Sequence, residues 1–415
     1  MTDTTTQALA HLDNAGMIAF LTTLVQTPSV YLPGVAGANE TAAATLIYDL
    51  LDEWGLQPQR WEVAPGRPNI VAELRGTATA GAGPLLLFEG HTDVVTPGDR
   101  SAWQYDPFGA TIVDGRMYGR GTADMKGGVA AMLYAVRAIQ LAGAQFAGTI
   151  RLLIPVDEEG LMIGIKDIVA SGHAHGAAGA IICEPEEHEV CIAQKGALRL
   201  KLESFGRVAH GAMPEEGVNA LTGMIHLLHR VLAIQTELRA AHGEHPLLGK
   251  IYLSPTVARA PISGEASQIN VLPDSCDTYL DIRTIPGVSH PAIVARIEEL
   301  MHEVQQIDVK FRFAVSIIDD RPSTEIAADH PLVQSIQHGH RAVYQHEAPF
   351  GGVPGSTDGT IITRDAGVPV VVYGPGGKRI PHQPNEYVLV AEVEQAAAVY
   401  VHAALHFLQI YQHPA

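Results

Sequence analysis

The chain is 415 residues long, 47% hydrophobic and 17% charged, with a formal net charge of -18. That length exceeds one ordinary compact domain and predicts two. The acidic balance excludes the basic footprint of nucleic-acid binding and opposes adhesion to anionic membranes, but it says nothing about a small substrate.

The opening Met1-Thr2-Asp3-Thr4-Thr5-Thr6 lacks the basic region and apolar core of a signal peptide. Residues from about Gln7 to Trp54 read as helix, loop, helix. The second helix shows Leu46, Leu50, Leu51 and Trp54 on one face, with Gly55 closing it. Short strands at 59–63 and 69–74 and a Gly/Ala turn at 80–83 lead to Leu85-Leu86-Leu87-Phe88-Glu89-Gly90-His91-Thr92-Asp93. This apolar run delivers His91 and Asp93, two residues apart and so on one face of an extended chain, to its C-terminal end. A metal-binding imidazole whose other nitrogen is held by a carboxylate has that spacing. A strand end with a solvated His and Asp has it too.

Arg116-Met117-Tyr118-Gly119-Arg120-Gly121-Thr122-Ala123-Asp124-Met125-Lys126-Gly127-Gly128 is a glycine-punctuated loop opening into an amphipathic helix over 129–142. A phosphate-binding loop wants Gly-Lys-Ser/Thr after its spacer, whereas Lys126 precedes the glycines. The informative residue is Asp124, where loop turns into helix. A strand over 148–156 ends in Asp157-Glu158-Glu159-Gly160. Three consecutive acids after a buried strand repel one another and are costly to desolvate. A bound cation resolves that repulsion; a solvated charged face is the plain alternative. Residues 178–185 repeat the theme, an apolar strand and then Glu184. Strands alternating with helices predict an α/β fold with a mainly parallel sheet, whose ligands bind beyond the carboxyl ends of the strands. His91, Glu158, Glu159 and Glu184 therefore converge on one edge.

After Lys195-Gly196 the rhythm changes. A strand at 197–205, a helix at 218–238, strands at 250–258 and 275–285, a helix at 291–304 and a strand at 309–316 follow. This β-α-β-β-α-β order predicts an inserted ferredoxin-like domain. The α/β pattern resumes with a helix at 331–344, then Gly355-Ser356-Thr357-Asp358-Gly359, a strand at 368–373 and a terminal helix. Gly355-x-Thr357-x-Gly359 lacks the central serine of a nucleophile elbow. The apolar stretch 393–408 is broken by Glu394, Gln395, His402 and His406 and is no membrane span. Cys183, Cys191 and Cys276, odd in number and without a close pairing motif, fit a reducing cytoplasm.

Five separated segments carry a resemblance: Gly90-His91-Thr92-Asp93, Gly119-Arg120-Gly121-Thr122-Ala123-Asp124-Met125-Lys126-Gly127, Asp157-Glu158-Glu159-Gly160, Glu184-Pro185 and Pro381-His382-Gln383-Pro384-Asn385-Glu386. In kind and order they resemble the motifs of the di-zinc aminoacylase and carboxypeptidase family, whose members include acetylornithine deacetylase, succinyl-diaminopimelate desuccinylase and glutamate carboxypeptidase. The resemblance spans almost the whole chain. It implies that His91, Asp124 and Glu184 bind one divalent ion and Glu159, His382 and Asp124 another, with Asp124 bridging and followed by a cis peptide. Imidazole and carboxylate donors suit Zn²⁺, with Co²⁺ or Mn²⁺ as substitutes.

The resemblance also implies that Glu158 is the general base for a metal-bound water and that Asp93 orients His91. Within Gly206-Arg207-Val208-Ala209-His210-Gly211-Ala212-Met213-Pro214, His210 would stabilise the oxyanion. Asn270 and Arg283 would bind substrate, Arg283 gripping a carboxylate in a bidentate fork, and Gly355 and Ser356 would complete that site. Cys183 before Glu184 and Leu161-Met162 after Gly160 depart from the family pattern and leave the pocket wall open.

The expectation is a cytoplasmic, homodimeric metallohydrolase with two divalent ions per chain. It would cleave the amide bond of a small N-acyl amino acid, with no nucleic-acid or membrane partner. A dipeptidase or carboxypeptidase acting on a short peptide is the alternative, and a non-catalytic metal- or ligand-binding relative is the alternative from another class. The catalytic domain is expected at residues 1–196 and 317–415, with a lid and dimerisation domain at 197–316.

Overall fold

A computed structural model describes residues 4–78, 83–262 and 268–410. Of the Gly/Ala turn expected at 80–83, residues 80–82 lie outside that set, as do Met1, Thr2 and Asp3 of the N-terminus. The chain divides into two compact units: Met1–Ile192 with Glu325–Val353 and Thr357–Ala415, and Ala193–Thr324 with Pro354–Ser356.

The first unit is built on a large mixed sheet. Its interior runs Thr149–Ile154, Leu85–Glu89, Gly179–Ile182, Val370–Val372, each parallel to its neighbour. These strands are nearly continuous apolar runs, as expected where both faces are covered; Leu86, Leu87, Phe88, Leu153, Ile154 and Ile181 are fully buried. The helices Gly127–Leu141, Ile163–Ala170 and Gly359–Ala366 precede the three strands that follow Leu85–Glu89 in the chain, the crossovers that parallel pairing requires.

The sheet is less parallel than the sequence predicts. Arg67–Arg75 pairs antiparallel with both Gln59–Ala64 and Thr149–Ile154, and Val190–Gln194 pairs antiparallel with Val370–Val372. The first case follows from a tight turn at Pro65-Gly66, where Gly66 takes a φ of 73°; two strands joined so closely form a hairpin. A small sheet of Thr111–Val113, Arg116–Tyr118 and Tyr387–Leu389 is also absent from the sequence reading. It laces Tyr387 to Tyr118 and Leu389 to Arg116, joining two motifs far apart in the chain. The expected N-terminal helix pair is three helices, Thr4–Ala10, Asn14–Val25 and Thr41–Glu53. No single helix among the described residues is long and apolar enough to cross a membrane.

In the second unit a sheet runs Tyr252–Arg259, Ser275–Thr284, Gly196–Phe205, Arg312–Arg321, antiparallel throughout. The helices Ala220–His242 and His290–Ile307 pack on it around Leu198, Leu200, Leu202, Leu227, Ile282 and Ile297. The last strand starts three residues later than the sequence predicts, because the Asp308 carboxylate accepts the Lys310 N–H and makes a turn there.

Because the interior strands of the first unit are parallel, Glu89, Ile154 and Ile182 end on the same edge. The helix Gly127–Leu141 lies hard against it. A Cβ on Gly128 would stand 1.9 Å from the Cys183 carbonyl oxygen, just before Glu184. Gly128→Ala is therefore expected to lower stability by about 1–3 kcal/mol, read as a reduced midpoint of urea unfolding; an unchanged midpoint would refute the close approach.

Candidate metal centre

Each strand end contributes a donor. His91, fully buried, follows Leu85–Glu89, and its Nδ1 lies 3.0 Å from the main-chain oxygen of Asp93. A carbonyl only accepts, so Nδ1 carries the hydrogen and Nε2 faces the site. There Nε2 lies 3.2 Å from Asp124 Oδ1 and 3.3 Å from Glu184 Oε1. The second oxygen of Asp124 faces another imidazole: His382 Nε2 is 3.3 Å from Asp124 Oδ2 and 2.9 Å from Glu159 Oε1. Asp124 thus stands between two histidines, one oxygen toward each, and the peptide after it is cis.

Two groups of donor atoms, each mutually within 4.8 Å, result: His91, Glu158 and Glu184, and Asp124, Glu159 and His382. Four carboxylates there face at most two imidazolium charges. Burial, followed by the charge of Asp124, pushes Glu184 up to about 8. Burial likewise holds Glu158 well above the usual carboxylate range, and Glu159 is raised by burial and by Asp124. Hydrogen bonds to Asp124 and Glu159 push His382 up to about 10. A cluster of this composition is short of positive charge, and its oxygen and imidazole donors fit divalent ions of the zinc type.

The three consecutive acids divide their work. Asp157, at a φ of 68°, turns away from the site. One of its oxygens takes the Arg67 guanidinium at 2.7 Å, the other the Leu161 N–H at 2.9 Å. Arg67 also pairs with buried Glu40 and is covered by the Tyr31 ring at 3.7 Å. Glu158 and Glu159 turn toward the donors, and Asp93 sets them: its carboxylate accepts the Glu158 N–H at 3.2 Å and the Glu159 N–H at 3.1 Å. Asp93 therefore reaches His91 chiefly through its main-chain oxygen, while its side chain, 3.5 Å from Nδ1, anchors the acidic turn.

Sequence reasoning gave no role to Glu386, Arg120 or Lys126, all buried. One Glu386 oxygen accepts the N–H groups of Gly121, Ala123 and Asp124 at 2.9, 3.1 and 3.2 Å; the other pairs with Arg120. This carboxylate shapes the loop that presents Asp124. Lys126 donates to the main-chain oxygens of Leu24 and Thr27, both at 2.9 Å, closing the C-terminal end of the Asn14–Val25 helix. The available signal was opposite charge, Arg120 and Glu386, inside two motifs otherwise rich in glycine and proline.

His210, Asn270, Arg283, Gly355 and Ser356 belong to the second unit. There His210 pairs with Val271 across two short strands, and the Asn270 carbonyl accepts the Gly211 N–H at 2.7 Å, so these two motifs adjoin. The Ala212 N–H donates to His210 Nδ1 at 3.0 Å, which leaves the exposed ring with Nε2–H as its outward donor. Arg283 is paired with Asp281 at 2.7 and 3.0 Å. A side chain at Gly355 would meet nothing within 4 Å, so no steric demand calls for glycine there.

The family model for peptidase family M20/M25/M40 matches residues 87–406. The succinyl-diaminopimelate desuccinylase of Halorhodospira halophila is 31% identical over 397 residues, covering 93% of this chain and 96% of that one. Among solved structures, the di-peptidase Dug1p of Saccharomyces cerevisiae aligns with a TM-score of 0.76 over 99% of this chain and 100% of its own at 15% identity. A dinuclear metal binding peptidase of Bacillus subtilis aligns at a TM-score of 0.70, covering 96% and 99%, with 14% identity. Both are likenesses of fold.

Removing the Glu386 carboxylate strands a buried guanidinium and three N–H groups. Glu386→Ala is expected to cost about 3–5 kcal/mol in urea unfolding and to weaken metal binding about 10–100-fold by equilibrium titration. Wild-type values for both would remove Glu386 from the support of Asp124.

Proposed function

The chain belongs to peptidase family M20/M25/M40, and from that premise we propose a two-metal deacylase that splits an N-acyl amino acid into a carboxylic acid and a free amine. The enzyme is a metal-dependent hydrolase of amide bonds. The observation that carries the proposal is Asp124, one oxygen toward His91 and the other toward His382, beside the buried Glu158. His91, Asp124 and Glu184 would hold one ion; Asp124, Glu159 and His382 would hold the other. Zn²⁺ is the proposed metal, and Co²⁺ or Mn²⁺ meet the same donors. A bound pair would polarise the amide carbonyl and acidify water.

Glu158 takes the proton of the attacking water and passes it to the leaving amine. Its burial supports this role, because burial raises the carboxylate from its ordinary range and so makes it a stronger base. Asp93 keeps Glu158 and Glu159 in register by holding their N–H groups. By motif, His210 donates its Nε2–H to the oxyanion and Arg283, with Asn270, Gly355 and Ser356, takes the substrate carboxylate. The succinyl-diaminopimelate desuccinylase relative supports an acyl substrate; a dipeptidase or carboxypeptidase would place the same carboxylate at Arg283.

We propose further that the second unit is the lid and that the protein is a cytoplasmic homodimer. Two features of that unit support dimerisation. Leu221, Ile225 and Leu232 make an exposed apolar stripe on the Ala220–His242 helix, and Tyr252–Arg259 is an exposed edge strand. Cys183, Cys191 and Cys276, buried and unpaired among the described residues, fit a reducing compartment.

With metal supplied, Glu158→Ala is expected to lose about a hundred- to ten-thousand-fold in rate while its metal content, counted by mass spectrometry, stays at that of wild type. A panel of N-acetyl and N-succinyl amino acids and dipeptides ranks the substrates. Turnover of dipeptides alone would replace the deacylase by a dipeptidase; undiminished activity of the variant would remove Glu158 as the base.

A further inference from the structure

Away from that centre, the helices Pro331–Tyr344 and Val390–Ile410 run antiparallel, with Ser335 against His406, Gly339 against Val399 and Tyr344 against Gln395. Gly339 permits close approach. A Cβ there would stand 2.6 Å from the Val399 carbonyl oxygen and 3.2 Å from the His402 Cβ. His402 and His406, four residues apart, share one face of their helix, and His338 lies opposite. Its ring stacks on His406 with centroids 4.2 Å apart and meets His402 edge-on at 6.0 Å. His338 is exposed and the other two are half-buried, so the cluster opens to solvent.

One of these rings is already set for ligation. The Ser335 hydroxyl donates its single proton to the Pro331 carbonyl at 2.7 Å and so only accepts at His406 Nδ1, 3.0 Å away. His406 is thereby the Nδ1–H tautomer, with the Nε2 lone pair available. Burial, and then the neighbouring His338, hold its pKa below the ordinary histidine value, which keeps the ring neutral.

We propose that His338, His402 and His406 form a further metal site, distinct from the carboxylate-rich centre, for one divalent transition ion that prefers imidazole: Zn²⁺, Ni²⁺ or Cu²⁺. Two histidines four apart on a helix supply two nitrogens to one ion, as they do in metal-binding helical motifs. Turning His338 out of its stack supplies the third. Nitrogens sharing a tetrahedral ion lie about 3.4 Å apart; stacked rings hold their lone pairs side by side, so it is the change of rotamer at exposed His338 that brings the third nitrogen to the ion. An all-imidazole site discriminates against Mg²⁺, Ca²⁺ and Mn²⁺, which favour oxygen donors. The two kinds of site therefore differ in which ions they retain.

The test titrates Ni²⁺ into protein that holds its full active-site metal complement, with heat and bound metals both measured. Wild type is expected to take one Ni²⁺ per chain beyond the active-site ions. His338→Ala and the double variant His402→Gln/His406→Gln take none, and Ser335→Ala binds it about tenfold more weakly. Amide hydrolysis and circular dichroism stay at wild-type values in all of them, which separates loss of the site from loss of the fold. Equal Ni²⁺ uptake by wild type and the double variant, or no uptake beyond the active-site ions in wild type, overturns the proposal.

Discussion

The structure of the first unit is governed by repulsion among carboxylates. Asp93, Glu158, Glu159 and Glu184, which follow parallel strands, gather with Asp124 about His91 and His382. Behind them Glu89, fully buried, carries a pKa raised by burial and by Asp358. Undiluted, such a concentration of charge would oppose folding. It is tolerated in part because the Asp93 carboxylate accepts two aimed N–H groups and Asp124, Glu159 and Glu184 each face an imidazole, and the remaining deficit of positive charge is the feature that a metal pair satisfies.

Around those acids stands a ring of buried cations and dipoles. Arg67 joins Glu40 to Asp157, Arg120 joins Glu386 to the Asp124 loop, and Lys126 closes a helix end. None of the three touches a donor atom of the centre; each fixes the backbone from which a donor projects. The same economy sets the imidazoles. The partner of Nδ1, a carbonyl for His91 and an N–H for His210, decides whether Nε2 is presented as a lone pair or as a proton.

Much of this was legible in the sequence because it is local. An apolar run followed by His91, by Glu158 and Glu159, or by Glu184 announces a strand and what its end carries, and parallel pairing then forces convergence. The unread part is long-range. Nothing adjacent to Asp157 in the chain says that it turns back to Arg67, ninety residues earlier. Nothing near Glu386 says that its partners lie at 120–124. The mixed character of the sheet was missed for a related reason: strand propensity is the same for either direction, and only the short turn at Pro65-Gly66 distinguishes them. The sequence places the Asp93 carboxylate against His91, and it lies 3.5 Å from Nδ1; what strand periodicity does not encode is that the same carboxylate also accepts the N–H groups of the acidic turn.

The lacing of Tyr387–Leu389 to Arg116–Tyr118 has a consequence for biosynthesis. A ribosome adds about 5–20 residues per second, so the loop bearing Asp124 is made well before the strand, His382 and Glu386 that complete its surroundings. Until then its N–H groups at 121, 123 and 124 have no carboxylate to organise them. Maturation of the centre thus waits for this later part of the chain, and a nascent chain arrested short of residue 382 holds at most one of the two donor groups.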